Sequence, residues 1–292
     1  MTWLLDAEVD AGYGGKPGAL RGVPLRIGRG EIVALIGQSG SGKSTLGLVV
    51  TGLLRFRGGQ ASGRVMFEGE DLLAASERRM REIRGKRIGL VFQSAATALN
   101  PSLTIEAHLK EAWRAHRPGS PDYGALLAEV RLPGDAAFLR RYPRQLSLGQ
   151  AQRVLIALGV VHRPALLVAD EPTSALDVIT QAEILDLFAR LNRSLGMSIL
   201  LITHDLLSVA NLAHRAVILN GGRVVEEGPV SEVFAGPREE YTKQLIGALP
   251  RYPEEIQPGL RSLHERLGAE ALQAGSQDAD MSQQGTEVHS RD

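Results

Sequence analysis

The chain has 292 residues, 43% of them hydrophobic, enough for one large or two modest domains with a real core. Lysine plus arginine and aspartate plus glutamate both number 33, so the formal net charge is zero and the basic excess of a nucleic-acid-binding protein is missing. There is no cysteine, which excludes disulfides and thiolate metal sites and suits a reducing compartment. The opening MTWLLDAEVD carries acids where a secretory leader needs a basic segment and an apolar run. Apolar stretches such as VLIALGVV fall far short of the roughly 20 residues that span a bilayer. These features predict a soluble, cytoplasmic chain that can still sit on a membrane protein.

The first third reads as strands separated by glycine turns. EIVALIG is a short buried run ending in Gly37, and GRVMFEGEDL and RIGLVFQ predict further strands. The basic run RRMREIRGKR contains Glu82 and reads as a solvated helix face and turn. From Pro101 to Arg163 the pattern turns helical, interrupted at Pro118, Pro121, Pro133 and Pro143. Two apolar strands follow, ALLVAD and SILLITHD, with a helix at about residues 179–195 between them. That spacing predicts a right-handed crossover in a parallel sheet. RAVILNGGRVVEEG reads as a hairpin turning at Asn220, Gly221 and Gly222. Beyond Gly236 the apolar content thins, and the polar, aromatic-free residues 268–292 predict a disordered tail. No internal repeat is visible, so one nucleotide-binding unit is expected.

GQSGSGKST fits G-x-x-x-x-G-K-[ST] and stands between the strand EIVALI and the helix STLGLVVTGLL. The glycines Gly37, Gly40 and Gly42, with Ser39, let successive backbone N–H groups turn toward phosphate oxygens, and the helix N-terminus adds its dipole. Lys43 would supply a point charge to the β- and γ-phosphates, and Ser44, next to Thr45, a hydroxyl to Mg²⁺. ADEPTSALD supplies the complement: Asp170, ending an apolar strand, reaches the edge of the sheet where ligands of α/β folds bind. Asp170 would hold Mg²⁺ through water and Glu171 would take a proton from an attacking water. His204 and Gln93 also end apolar strands, positions unremarkable in isolation. QLSLGQAQRV is, at its plainest, a capped helix start with Ser147 as N-cap and an apolar stripe behind it.

Taken in order, residues 37–45, Gln93, LSLGQ, ADEPTSALD and His204 resemble the ATP-binding subunits of ABC transporters, over roughly residues 4–236. The resemblance implies an α/β fold: a RecA-like P-loop core with a mixed sheet, an N-terminal antiparallel β subdomain, and an α-helical subdomain inserted at about residues 98–163. It implies ATP with Mg²⁺ held by Ser44, Gln93 and Asp170, a base at Glu171, a γ-phosphate contact from His204, and adenine stacking on Tyr13. It further implies that Ser147, Gly149 and Gln150 face the ATP of a second, head-to-tail subunit, and that Ser174 and Asp177 cross the dimer interface between the two sites. Leu148 departs from the family, which usually has glycine there; its Cβ is expected to restrict the local backbone and slow the site.

VFQSAATALNP and VFAGPREEYTKQLIGALP resemble the oligopeptide, dipeptide and nickel importer branch, with Tyr241, Thr242, Leu249 and Pro250 in the expected order of its extension, residues 237–267. Ser94 and Ala95 replace that branch's usual Asp-Pro, and Glu239 and Glu240 its His-Pro. Some relatives carry an iron–sulfur cluster on cysteines in the extension; none is expected here. The branch implies a peripheral ATPase on the cytoplasmic face of the inner membrane. Its partners would be permease subunits, a second ATPase subunit (self or paralogue), and indirectly an extracytoplasmic solute-binding protein, with no nucleic acid. Two other readings remain open: an importer-like ATPase attached to an enzyme complex such as carbon–phosphorus lyase, and a soluble ABC ATPase on nucleic acid or ribosomes.

Overall fold

The computed structural model describes residues 2–14 and 16–248. The 268–292 tail, and the extension beyond residue 248, lie outside the described residues. In chain order come strands β1 (Leu5–Tyr13), β2 (Lys16–Ile27) and β3 (Ile32–Ile36), helix α1 (Lys43–Val50), strands β4 (Gly59–Phe67) and β5 (Glu70–Asp71), helix α2 (Glu77–Ile83) and strand β6 (Ile88–Val91). Helices α3 (Ala95–Ala98), α4 (Ile105–Arg114), α5 (Tyr123–Glu129), α6 (Ala136–Leu139) and α7 (Leu148–Val160) precede β7 (Leu166–Asp170). Then follow α8 (Val178–Leu195), β8 (Ser198–Thr203), α9 (Leu206–Leu212), β9 (Arg215–Asn220), β10 (Arg223–Pro229), α10 (Val230–Ala235) and α11 (Glu240–Gly247).

Two sheets organise the chain. The larger has the order β10-β9-β3-β8-β7-β6, parallel throughout except for β10, which returns antiparallel along β9 through the expected Gly221–Gly222 turn. The smaller, β2-β1-β4-β5, is antiparallel and pairs Leu5 with both Ile27 and Phe67. Core strands of the parallel sheet are covered on both faces, so they read as unbroken apolar runs. Their side chains alternate between two cores: Leu167, Ala169, Ile199 and Leu201 pack under the helices from α3 to α8, and Leu166, Val168, Leu200 and Ile202 pack against α1 and the small sheet. Truncating any of these large side chains to alanine costs about 2–5 kcal/mol.

Helix starts follow local chemistry. Ser76, Thr104, Asp122, Asp135, Ser147 and Asp177 each accept the N–H three residues on, one orphan donor satisfied per helix, at about 1 kcal/mol each. The prolines fall in the gaps between α4, α5, α6 and α7, where the sequence expects breaks. One strand is shorter than its sequence suggests. RIGLVFQ pairs only through Val91, and Phe92 and Gln93 lie exposed beyond it. Among the described residues, no helix is long and apolar enough to cross a membrane.

Candidate functional site

The parallel register puts the candidate residues at one edge. Ile36 pairs with Thr203, Asp170 with Ile202, and Val91 with Ala169. Gly37, His204, Glu171 and the segment leading to Gln93 therefore all leave the carboxyl ends of neighbouring strands. This is where a doubly covered parallel sheet leaves room for a ligand.

The loop between β3 and α1 is built for anions. Gly42 has φ of 109°, and a Cβ there would stand 2.5 Å from the carbonyl oxygen of Ala19, so only glycine fits. Lys43, the first residue of α1, is buried and donates its ammonium to the carbonyls of Gly37 at 2.7 Å and Gln38 at 2.9 Å. Burial lowers its pKa, while the nearby charges of Glu171 and Asp170 act to keep it protonated. Ser39 and Gly40 lie exposed at the loop's tip. Tyr13, the last residue of β1 and 40% exposed, places its hydroxyl 3.2 Å from Thr45 Oγ1, so its ring stands at the rim of this loop.

Two acids close the other side. Ser44 Oγ donates to Asp170 Oδ1 at 3.1 Å. Burial raises the Asp170 pKa; the Ser44 bond and the Lys43 charge oppose this, and the Glu171 charge adds to it. A half-buried carboxylate beside a hydroxyl, both at a phosphate-binding loop, is a hard-oxygen donor set that fits Mg²⁺. Glu171 sits in the left-handed region at φ of 47°, uncommon for a residue with a side chain and suggestive of a functional constraint. Its N–H bonds to Ile202 O at 2.8 Å, and its carbonyl takes both the N–H and the hydroxyl of Ser174. Its carboxylate then lies 2.7 Å from His204 Nδ1.

Ser147, Gly149, Gln150 and Asp177 stand at the starts of α7 and α8. Ser147 caps α7, accepting the Gln150 N–H at 3.2 Å, while Gln150 Oε1 accepts the Ser147 N–H at the same distance. Gly149 lies against the start of α8: a Cβ there would meet Thr180 Cγ2 at 2.7 Å. Asp177 caps α8, and the two bonds from Thr180 lower its pKa. Leu148 occupies the first helical position with φ outside the left-handed region. Any residue adopts such a backbone, and the side chain of Leu148 is 59% exposed. Tyr241, which the sequence marks only as part of the extension, meets Gln38 across 203 positions: the Gln38 N–H donates to Tyr241 Oη at 3.0 Å.

The comparisons agree with this geometry. Residues 20–174 match the family described as ABC transporter. The chain is 40% identical over 245 residues to the dipeptide transport ATP-binding protein DppD of Bacillus subtilis, covering 82% of this chain and 73% of the relative. The oligopeptide transport ATP-binding protein OppD of the same organism is also 40% identical, over 244 residues, with 82% and 68% covered. A dimeric ATP-binding cassette solved in a post-hydrolysis state with ADP and Pi superposes with a TM-score of 0.66 at 30% identity, covering 77% of this chain and 98% of that one. The chain belongs to the ABC transporter family, as one of its ATP-hydrolysing, ATP-binding subunits.

Proposed function

We propose that this chain powers uptake of dipeptides or oligopeptides, hydrolysing MgATP at the cytoplasmic face of a membrane and passing the closure of a subunit pair to permease subunits. The observation that carries the reading is the convergence of Lys43, Ser44, Asp170, Glu171 and His204 on one sheet edge, in a chain whose relatives are named for peptide transport. Residues 1–236 form the ATP-binding domain in this reading, with residues 98–163 as its inserted helical part and 237–267 as an extension.

Each side chain then has a task. Tyr13 stacks on the adenine. The N–H groups between Gly37 and Thr45, with the dipole of α1, hold the phosphates, and Lys43 neutralises their charge. Ser44, Asp170 and Gln93 would hold Mg²⁺, which supplies charge neutralisation at the β- and γ-phosphates. Glu171 accepts the proton of the attacking water, and His204 holds Glu171 and reaches toward the γ-phosphate. Positioning and electrostatics carry the rate.

Half of each site comes from a second ATPase subunit. Ser147 uses its oxygen as a cap acceptor but keeps its O–H proton to donate. Near it, at the start of the adjoining α8, Val178 and Ile179 are 82% and 75% exposed. Such a patch beside a polar tip favours burial by a partner. Ser174 and Asp177 lie on the segment between Glu171 and α8 and relate the two sites. Pull-down of the tagged chain from membranes tests the whole reading. Recovery of permease subunits, with ATPase activity stimulated by peptide and its binding protein, supports it; recovery in a soluble enzyme complex without a permease overturns it.

A further inference from the structure

Helix α11 lies beyond the residues that match the family, and the reading above gives it no task. Contacts with β10 and with the phosphate loop hold it. Glu226, on β10, accepts the N–H of Arg238 at 2.8 Å and of Glu239 at 3.2 Å, satisfying amides just ahead of the helix. Thr242 is buried, and its neighbour Tyr241 reaches the phosphate loop, where its hydroxyl oxygen accepts the Gln38 N–H at 3.0 Å.

The N–H of Gln38 and the C=O of Gly37 belong to a single peptide plane, which turns as one body. Tyr241 holds the N–H edge of that plane, and Lys43 Nζ holds the C=O edge at 2.7 Å. The same ammonium bonds the next carbonyl, that of Gln38, at 2.9 Å. An ammonium has three N–H groups, and two are fixed by the loop, so the direction of the third depends on where those carbonyls point. A hydrogen bond at an amide N–H also polarises its carbonyl and strengthens it as an acceptor.

We propose that Tyr241 is a positioning residue for ATP: through the Gly37–Gln38 peptide it fixes the seat of Lys43, so the segment that follows the nucleotide-binding core sets the chain's affinity for nucleotide. The proposal rests on residues 37–45 being the phosphate loop, and its test separates the two.

MgATP affinity of the full-length chain is measured by titration calorimetry, and KM and kcat in the permease-bound complex, for the parent, Lys43→Ala, Tyr241→Phe, Glu226→Gln and the Tyr241→Phe/Glu226→Gln pair. Tyr241→Phe keeps the ring and removes one oxygen. It is expected to raise Kd and KM about three- to ten-fold, the worth of one ordinary hydrogen bond, with kcat within about two-fold. The Gln38 amide should exchange faster with solvent. Glu226→Gln should shift KM the same way, and the pair no further than Tyr241→Phe alone. Unchanged KM in Tyr241→Phe while Lys43→Ala loses MgATP overturns the role of Tyr241 alone, as does a fall in kcat at constant KM. Parental MgATP binding by Lys43→Ala overturns the phosphate-loop reading beneath it.

Discussion

His204 Nδ1 lies 2.7 Å from a carboxylate oxygen of Glu171, joining the ends of β8 and β7 across the candidate site. An ionised carboxylate only accepts, so Nδ1 carries the proton and Nε2 is left for another partner. The side chain of His204 is 61% exposed and that of Glu171 only 16%, so the acid is the sheltered member, backed by the Ile202 and Ser174 bonds to its own backbone. Glu171→Gln keeps shape and removes the base. Turnover in the permease-bound complex should fall at least about 100-fold while ATP affinity of the isolated chain stays within about two-fold. Turnover at the parental rate would remove Glu171 from the chemistry.

Asp170 makes a prediction about pH. Burial raises its pKa above the ordinary 3.8, so between that value and the raised one the folded chain binds a proton that the unfolded chain releases. Its stabilising contribution is therefore full below 3.8 and lost as pH rises through the folded pKa, leaving a buried charge that costs stability at neutral pH. Asp170→Asn should raise the neutral-pH Tm of the nucleotide-free chain. The gain should vanish on acidification, and Mg²⁺ should no longer tighten ATP binding. Thermal scans against pH, with and without Mg²⁺, check both; a lower Tm for the variant at neutral pH would contradict the account.

Gly42 combines a left-handed backbone with a carbonyl 2.5 Å from where a Cβ would stand. Gly42→Ala is expected to cost about 2–3 kcal/mol of stability and to lose MgATP binding, because the loop must move off Ala19 to admit the methyl group. Denaturant unfolding and calorimetry read the two effects separately. Parental values in both would mean that this turn does not shape the loop.

Leu148 isolates the partner's contribution. Its backbone is already helical, so Leu148→Gly changes an exposed side chain and adds flexibility worth about 1 kcal/mol in α7. ATP binding by the isolated chain should not change, and turnover in the assembled complex should rise at least two-fold as the glycine lets the partner's nucleotide approach. Equal turnover in parent and variant would show that the leucine meets nothing.

Much of this was legible in the sequence because local rules agreed with the fold. Gly37, Asp170 and His204 each follow an apolar run, and apolar runs in a doubly covered sheet must end at its edge. Ser147 was readable as a cap from residue type alone. Reach along the chain limited the rest. Pairing of Leu5 with Phe67, and the bond from Gln38 to Tyr241, depend on segments with no local signature for each other. Gln93 was assigned to a strand that stops at Val91, because Phe92 continues the apolar pattern without entering the ladder.

The central claim is that Ser147 serves a nucleotide bound to another subunit, and Ser147→Arg tests it most directly when ATP binding to the isolated chain and turnover of the permease-bound complex are measured side by side. The account predicts parental affinity in the first and a loss of at least about ten-fold in the second. Full turnover in the complex, or an isolated monomer of the parent chain hydrolysing ATP as fast as the complex, would contradict it.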